Sequence, residues 1–502
     1  MKLPSLHSAK ILDIFVLAAG ILITLAFAPH RIFLLAIISP TIFLLTIVNA
    51  TIRQTLWRAG LYSLGYFGIG LSWIYFFLEN LRPKTTSQIF ISVCIFLIML
   101  AFIASFIGSM YLFTCFFKKN HWTKYVIGFP VAWVFFEWFC SWFLTGLPWL
   151  LLGQSQASTW LGAYAPVIST YGVSFMVVVI AGLIVNAIIF KKYWLNSFII
   201  ASIILTGALL NHISWTTPVT KDPLKVALIQ GNIPMTMITT VANVETAFIR
   251  YLDLTKKNID AQLIVLPESA FLIHEDDIPI YFNYLNKLLV THHAAMITGI
   301  AYQDRTTHES FGAAKVFGEG YGIYFKQHLV PLGEYMPFSH YLPKDFRLLN
   351  YFPIANITAG KSQQPLMMVQ HIPVGTVLCN DLTYIPVILN KLPAAQLLVS
   401  LNNLSWYGHS WGAAQQLQIA QMRALEAGRY LLVVGNDGVT AIIDNHGRIV
   451  GSIPRFSVQV LRGEVYPMQG STPLVIIGWI PLFLLALAWG IIGFFLNRRA
   501  KL

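Results

Sequence analysis

Two apolar blocks dominate this 502-residue chain, one running almost without interruption from Ile11 to about Asn211 and one from about Pro473 to Leu496. A bilayer core about 30 Å thick takes roughly 20 consecutive apolar residues per helix. Blocks this long therefore commit much of the chain to membrane-spanning helices. The composition agrees, with 56% of residues hydrophobic and only 11% charged, against roughly a quarter charged in soluble domains. Eight spans are predicted, at 11–28, 32–50, 59–78, 88–117, 122–143, 165–190, 194–212 and 473–496. Residues 144–164, with Gly146, Pro148 and Gly153 and no charge, read as a loop, re-entrant or otherwise, whose backbone must be buried in protein. The expected fold class is a polytopic α-helical membrane protein with one α/β domain. Helices 1–7 occupy 1–212, the domain 213–472, and helix 8 with a tail 473–502.

The short loops orient the chain. Lys2, Lys10, Arg53, Arg58, Lys118, Lys119, Lys124, Lys191, Lys192, Arg498, Arg499 and Lys501 fall on one side, and only Arg31, Arg82 and Lys84 on the other. Cationic loops stay in the cytoplasm. Both termini are therefore expected inside, and the domain outside the cell's inner membrane, in the periplasm where there is one. The formal charge of +12 sits largely at those helix ends, where it sets topology and meets anionic lipid, so nucleic acid is not an expected partner. Ala26-Phe27-Ala28 has the look of a signal-peptidase site, but Pro29 and a second apolar run follow at once. An uncleaved first helix is the better reading.

Inside the domain, strands and helices alternate. Lys225–Gln230, Leu263–Leu266, Tyr321–Lys326, Val374–Leu378 and Gln396–Leu401 are short apolar runs of strand character. Three of them end on a chemically useful side chain: Glu268, Lys326 and Cys379. A carboxylate at the end of a buried strand is costly without a partner. Cys94, Cys115 and Cys140 fall in predicted spans and read as small apolar residues, whereas Cys379 is the only cysteine of the domain and has no mate for a disulfide. Leu382, Ile385, Ile388 and Leu389 have helical spacing after it. Cys379 is thus expected at a strand-to-helix turn, where a helix N-terminus favours thiolate over thiol.

These three segments resemble the nitrilase superfamily, whose αββα-sandwich domains use a Glu–Lys–Cys triad. The rest of the chain is similar to the apolipoprotein N-acyltransferase family. The likeness is carried by Leu25–Pro29, Gly70–Tyr75, Leu144–Trp149, Val226–Pro234, Pro331–Pro337 and Met422–Glu426, in that order around the predicted spans. The resemblance implies Cys379 as nucleophile, Glu268 as general base and Lys326 beside the developing oxyanion. It gives Glu334 a supporting place, orienting Lys326 or sharing proton work. It implies a phospholipid acyl donor, phosphatidylethanolamine, and as acceptor the α-amine of a diacylglyceryl-cysteine at an apolipoprotein N-terminus. No cofactor is implied. One departure stands out, since the family's Cys-Tyr-Glu is here Cys379-Asn380-Asp381, which bears on substrate preference.

Two aromatic stretches are candidates for lipid handling. Tyr335–Ile357, including Tyr335 and Phe338, is either a buried loop or a lid, and Trp406-Tyr407 with Trp411 forms a second cluster. His292-His293 and His274–Asp277 lack metal-site spacing, so no metal is expected. The competing readings are a membrane-anchored amidase on a small substrate, an acyltransferase paralogue with another lipid specificity, and a transporter. A transporter would carry charges within its spans, where Glu137 is almost the sole candidate.

Overall fold

The computed structural model describes residues 6–81, 88–117, 121–233, 241–271, 274–336, 356–480, 484, 488–492 and 495. It divides into two compact units. The first comprises Met1–Tyr75, Gln88–Ile213 and Ile476–Leu502, and the second Phe76–Ser87 and Ser214–Val475.

The first unit is helical. Among the described residues three helices are long and apolar enough to cross a membrane: Ile91–Phe116, Trp160–Phe190 and Tyr193–Leu210. Ile52–Gly70 and Trp73–Asn80, bent by 51°, make a fourth if taken as one span. The predicted eight are therefore not all met by continuous helices. At 11–28 the helix Leu6–Leu22 gives way to a 3-10 turn, Ile23–Ala26, after which Phe27 is extended. At 32–50 the helix is Leu35–Ile47, of 13 residues. At 122–143 a π-turn, Lys124–Gly128, precedes Phe129–Cys140; Pro130 has no N–H to continue an α ladder backwards. The last predicted span, 473–496, lies partly outside the described residues.

The charge-free segment 144–164 is broken into 3-10 turns, and residues 148–157 are buried. Its backbone is satisfied by side chains of the neighbouring helices, as buried backbone requires. Glu137 accepts from the Leu152 N–H at 2.7 Å and the Trp133 indole at 2.8 Å, and Ser174 Oγ accepts from Gly153 N–H at 2.7 Å.

Among the described residues the second unit has fifteen strands. They are β1 (Thr216–Pro218), β2 (Leu224–Gln230), β3 (Leu263–Val265), β4 (Ala295–Gln303) and β5 (Ser310–Gly318). Then come β6 (Gly320–Tyr321), β7 (Ile323–Phe325), β8 (Met367–Val369), β9 (Ile372–Leu378) and β10 (Leu397–Asn402). The last five are β11 (Leu431–Gly435), β12 (Thr440–Ile443), β13 (Ile449–Ile453), β14 (Gln459–Val465) and β15 (Met468–Gly470). A six-stranded sheet has the order β14-β2-β3-β4-β5-β7 and a seven-stranded sheet the order β13-β12-β11-β10-β9-β8-β6. Both are mixed, with parallel centres β2-β3-β4 and β9-β10-β11.

Strand alternation explains the layers. Val226, Leu228, Val265 and Ile297 of one sheet interleave with Val374, Leu378, Val399, Leu401 and Val434 of the other in a single core. The opposite face of the first sheet, Ile264 and Met296 among others, packs on Phe248 and Tyr251 of the helix Val241–Lys257 and Phe282 and Leu285 of Pro279–Thr291. The outer face of the second, with Val377, Leu398 and Val433, packs on Ala420, Ala424 and Ala427 of Gly412–Ala427. The result is the αββα stacking that the resemblance implied.

The domain's two ends are adjacent. β1 pairs antiparallel with β15, Thr216 opposite Gly470. Beside this pair Arg429, 1% exposed, donates from Nε to Ala395 O at 2.6 Å and from Nη2 to Gly470 O at 2.8 Å and Pro393 O at 3.1 Å. Thr216 Oγ1 donates to Gly428 O and Thr472 Oγ1 to Glu426 O, each at 2.8 Å.

Candidate active site

In mixed α/β sheets ligands gather at the carboxyl ends of parallel strands, and four side chains from four segments converge there. Glu268 lies three residues past the end of β3, Lys326 directly follows β7, and Cys379 directly follows β9. Glu334 comes from the turn after Lys326. Lys326 Nζ lies 2.9 Å from Glu268 Oε1 and 2.6 Å from Glu334 Oε1. Its side chain is 2% exposed, and those of the two glutamates 16% and 21%.

Each arm is fixed by its neighbours. The Glu268 backbone runs so close to β4 that a Cβ on Gly299 would sit 1.8 Å from Glu268 O, so only glycine fits there. Glu334 Oε2 accepts from the Val330 N–H at 2.7 Å, and Leu332 takes φ 68° to close that turn. Cys379 itself has φ 44°, a left-handed conformation costing on the order of 1–3 kcal/mol for a residue with a side chain. Gln416, from the helix Gly412–Ala427, donates to Cys379 O at 3.2 Å and to Asn402 Oδ1 at 3.1 Å and so ties the Cys379 turn to β10.

The electrostatics of the group differ from the sequence expectation at one point. Cys379 opens a 3-10 turn, Cys379–Thr383, and the helix beyond it, Ile385–Leu389, has only five residues, with Pro386 in its first turn. That helix is too short to supply a dipole. Burial pushes the Cys379 thiol up, and Glu268 and Glu334 add to this while Lys326 and the Asn403 N–H oppose it. This setting works against a standing thiolate. Burial also lifts Glu268 above the usual carboxylate range against the pull of Lys326. Burial works against charge on Lys326, but Glu268 and Glu334 outweigh it and hold its ammonium well above the ordinary lysine value.

Asp381 is fully buried and is a brace. Its carboxylate accepts from His328 N–H at 2.7 Å, from Tyr324 OH at 2.8 Å and from Gln327 N–H at 3.3 Å. It thereby joins the Cys379 turn to the residues that come after Lys326, with His328 stacked on Tyr384 at 3.8 Å. Asn380 is half-buried, and its carbonyl accepts from Thr383 Oγ1 at 2.8 Å. Tyr335 sits in the Glu334 turn, where its carbonyl accepts from Leu332 N–H. Phe338, and with it most of the 335–357 stretch, lies outside the described residues.

The loop after β10 holds Asn403, which the sequence does not single out, and the aromatic pair Trp406-Tyr407, which it does. Asn403 N–H donates to Glu268 Oε2 at 3.1 Å and also reaches Cys379. Tyr407 is buried, and Cys379, Lys326 and Glu268 all act on its hydroxyl. Trp406, the aromatic chosen from sequence, meets Phe77 edge-on at 6.4 Å. In a four-residue turn, Leu404–Tyr407, no periodicity tells which aromatic faces inward. Among the described residues no three or more His, Cys, Asp and Glu side chains are grouped as a metal site requires.

A helical unit leading into a nitrilase-like domain with this constellation defines a membrane-bound member of the carbon-nitrogen hydrolase class. Residues 225–469 match the carbon-nitrogen hydrolase family, and 19–183 match the apolipoprotein N-acyltransferase N-terminal domain. An apolipoprotein N-acyltransferase of Coxiella burnetii is 35% identical over 487 residues, 94% of this chain and 99% of that one. One from Vibrio vulnificus is 33% identical over 485 residues, 94% of this chain and 95% of that one. Among solved structures, Nit3 of Saccharomyces cerevisiae, a member of branch 10 of the nitrilase superfamily, matches with 16% identity and a TM-score of 0.37, over 50% of this chain and 93% of that one. The chain belongs to the apolipoprotein N-acyltransferase family, and it is a membrane protein with an acyltransferase domain.

Proposed function

We propose that the protein transfers a fatty acyl chain from phosphatidylethanolamine to the α-amine of a diacylglyceryl-cysteine at an apolipoprotein N-terminus, through a thioester on Cys379. The observation that carries this reading is the shared ammonium. Lys326 is held between Glu268 and Glu334, beside the domain's only cysteine. Glu268 takes the thiol proton as sulfur attacks the ester carbonyl, and the oxygen that becomes anionic is stabilised by Lys326. Collapse breaks the ester bond, and the proton on Glu268 goes to the departing lysophospholipid hydroxyl. The amine then attacks the thioester and gives a proton to Glu268. The second collapse releases the amide and returns the proton to sulfur. Glu334 holds Lys326 in place. Because burial disfavours a standing thiolate, proton removal and attack belong to one step, which suits a base whose own affinity for protons is raised.

Two lipid substrates account for the helical unit, since neither would leave the bilayer for an aqueous pocket without a large hydrophobic cost. The reading includes eight crossings of the inner membrane, cytoplasmic termini and a periplasmic catalytic domain, supported by the charge asymmetry of the short loops. A reporter active only outside the cytoplasm should be on when fused after Pro218 and off at Lys191, and the reverse pattern would overturn the orientation.

The chemistry is tested by mass spectrometry of the full-length protein after exposure to phosphatidylethanolamine vesicles of defined chain length. The Cys379 peptide should gain one acyl group and lose it when a diacylglyceryl-cysteine peptide is added. An unmodified Cys379, or transfer that survives Cys379→Ala, would refute the mechanism.

A further inference from the structure

The loop that presents Asn403 to the reacting groups is gripped from outside at its carbonyls and hydroxyl, by residues remote in sequence. Arg455, after β13, donates from Nη2 to Gly408 O at 2.9 Å, and its guanidinium lies 4.4 Å over the Phe456 ring. Asp437, buried after β11, bonds the Ser405 side chain and also pulls on Arg455. Asn436 Nδ2 donates to Ser405 Oγ at 3.3 Å. The fourth grip comes from the segment Phe76–Ser87, which groups with this domain although it lies more than a hundred residues before it. There Asn80 Nδ2 donates to Trp406 O at 3.0 Å, and Phe77 meets the Trp406 ring.

These contacts bear on one short turn. Leu404–Tyr407 is a 3-10 turn capped by Asn403, whose Oδ1 accepts from Ser405 N–H at 3.4 Å. Its residues therefore move together with Asn403, whose N–H is 3.1 Å from Glu268 Oε2. Gly408, with φ 48°, turns the chain immediately after it. A carbonyl offers its acceptor only in a defined direction, so donors on Trp406 O and Gly408 O fix the plane of the turn on both sides of Tyr407.

We infer that Arg455 and Asn80 are positioning residues for catalysis, setting the loop so that the Asn403 N–H holds Glu268 ionised and aimed at the Cys379 thiol. The inference rests on the reading of Glu268 as the base for Cys379. It gives the helix Trp73–Leu81, which carries Asn80, a task in the chemistry itself, from a position that touches no reacting atom. Glu268 also faces Lys326, which favours its ionised form, and Glu334 and Asp381, which oppose it. The Asn403 hydrogen bond adds to the favouring side, since a hydrogen bond to the ionised form of a carboxylate favours that form. Loosening the turn should therefore raise the proton affinity of Glu268 as well as slow the reaction.

The test uses full-length protein in detergent and a small p-nitrophenyl ester, which acylates a cysteine without needing a lipid site. The burst of p-nitrophenol is monitored from pH 5 to 9 in wild type, Asn80→Ala and Arg455→Met. Each variant should lose about tenfold in the burst rate constant, the scale of one hydrogen bond, with the half-saturating ester concentration unchanged. Its acid limb should move to higher pH. A residue that merely stabilises the fold would lower the fraction of active protein and leave the limb in place. Unmoved limbs overturn the inference. If one variant fails to fold, the other, gripping the opposite side of the turn, decides. The wild-type burst checks the nucleophile reading itself, so the two can fail separately.

Discussion

Replacing Lys326 with methionine keeps the length of the side chain and removes its charge, leaving Glu268 and Glu334 facing each other in a nearly closed site. The ammonium is 2% exposed, with carboxylate oxygens at 2.9 and 2.6 Å. Stranding one side of such a buried pair costs about 3–5 kcal/mol. For a domain of this size that is a drop in Tm of roughly 10 °C. The pH dependence is the sharper signature. Burial already lifts Glu268 above the usual carboxylate range, and Lys326 is the largest pull against it. Without Lys326 the carboxyl rises further. A carboxyl whose proton affinity is higher folded than unfolded stabilises the fold at low pH and loses that contribution as pH rises through its folded value. The stability deficit of Lys326→Met relative to wild type should therefore be large at pH 8 and shrink steadily toward pH 5. Thermal unfolding in detergent, read by intrinsic tryptophan fluorescence across that range, measures it. A deficit that is constant with pH, or that grows toward acid, would refute the electrostatic account. Acyl transfer should fall by roughly two or more orders of magnitude at every pH, the scale for losing an oxyanion-stabilising group.

Gly299→Ala should cut acyl transfer by about a hundredfold, the scale for an ångström of misplacement at a reacting group. Its Cβ would lie 1.8 Å from Glu268 O, and a variant with wild-type kcat would show that the Glu268 backbone is not fixed there. Asp381→Glu should cost about 1–3 kcal/mol by overpacking, because Asp381 is fully buried and its carboxylate is already engaged by His328, Gln327 and Tyr324. Asn380→Tyr with Asp381→Glu should for the same reason lower turnover, and a double variant at least as active and as stable as wild type would disprove it.

Much of the catalytic domain could be read from local sequence, because a buried strand is a short apolar run and its end is marked by the first polar residue. That is how Glu268, Lys326 and Cys379 stood out, and the strands end within a residue or two of the expected places. Periodicity failed over short elements. Leu382, Ile385, Ile388 and Leu389 have helical spacing, yet a 3-10 turn and five helical residues hold them. Asp381 is drawn toward the loop of Lys326, a contact between residues 53 apart in sequence that no local pattern encodes. The same holds for Asn403, and for which of Trp406 and Tyr407 turns inward, since both depend on where β10 ends relative to β3 and β9. In the helical unit composition marked the apolar blocks, but not the local breaks within them, such as the π-turn Lys124–Gly128 ahead of Pro130, while Pro40 sits inside an unbroken helix.

The pairing of β1 with β15 has a mechanical consequence. The domain is entered and left through adjacent, oppositely directed strands, so tension on the two flanking chains pulls them apart at one end of a three-pair ladder. Such loading opens hydrogen bonds one after another, like a zip, and never shears the long sheets in parallel. The buried guanidinium of Arg429, holding Gly470, Ala395 and Pro393 at once, lies directly behind that ladder as a stop. A pull on the flanking chains would be absorbed by these few pairs. The strands that end in Glu268 and Cys379 would stay in register meanwhile.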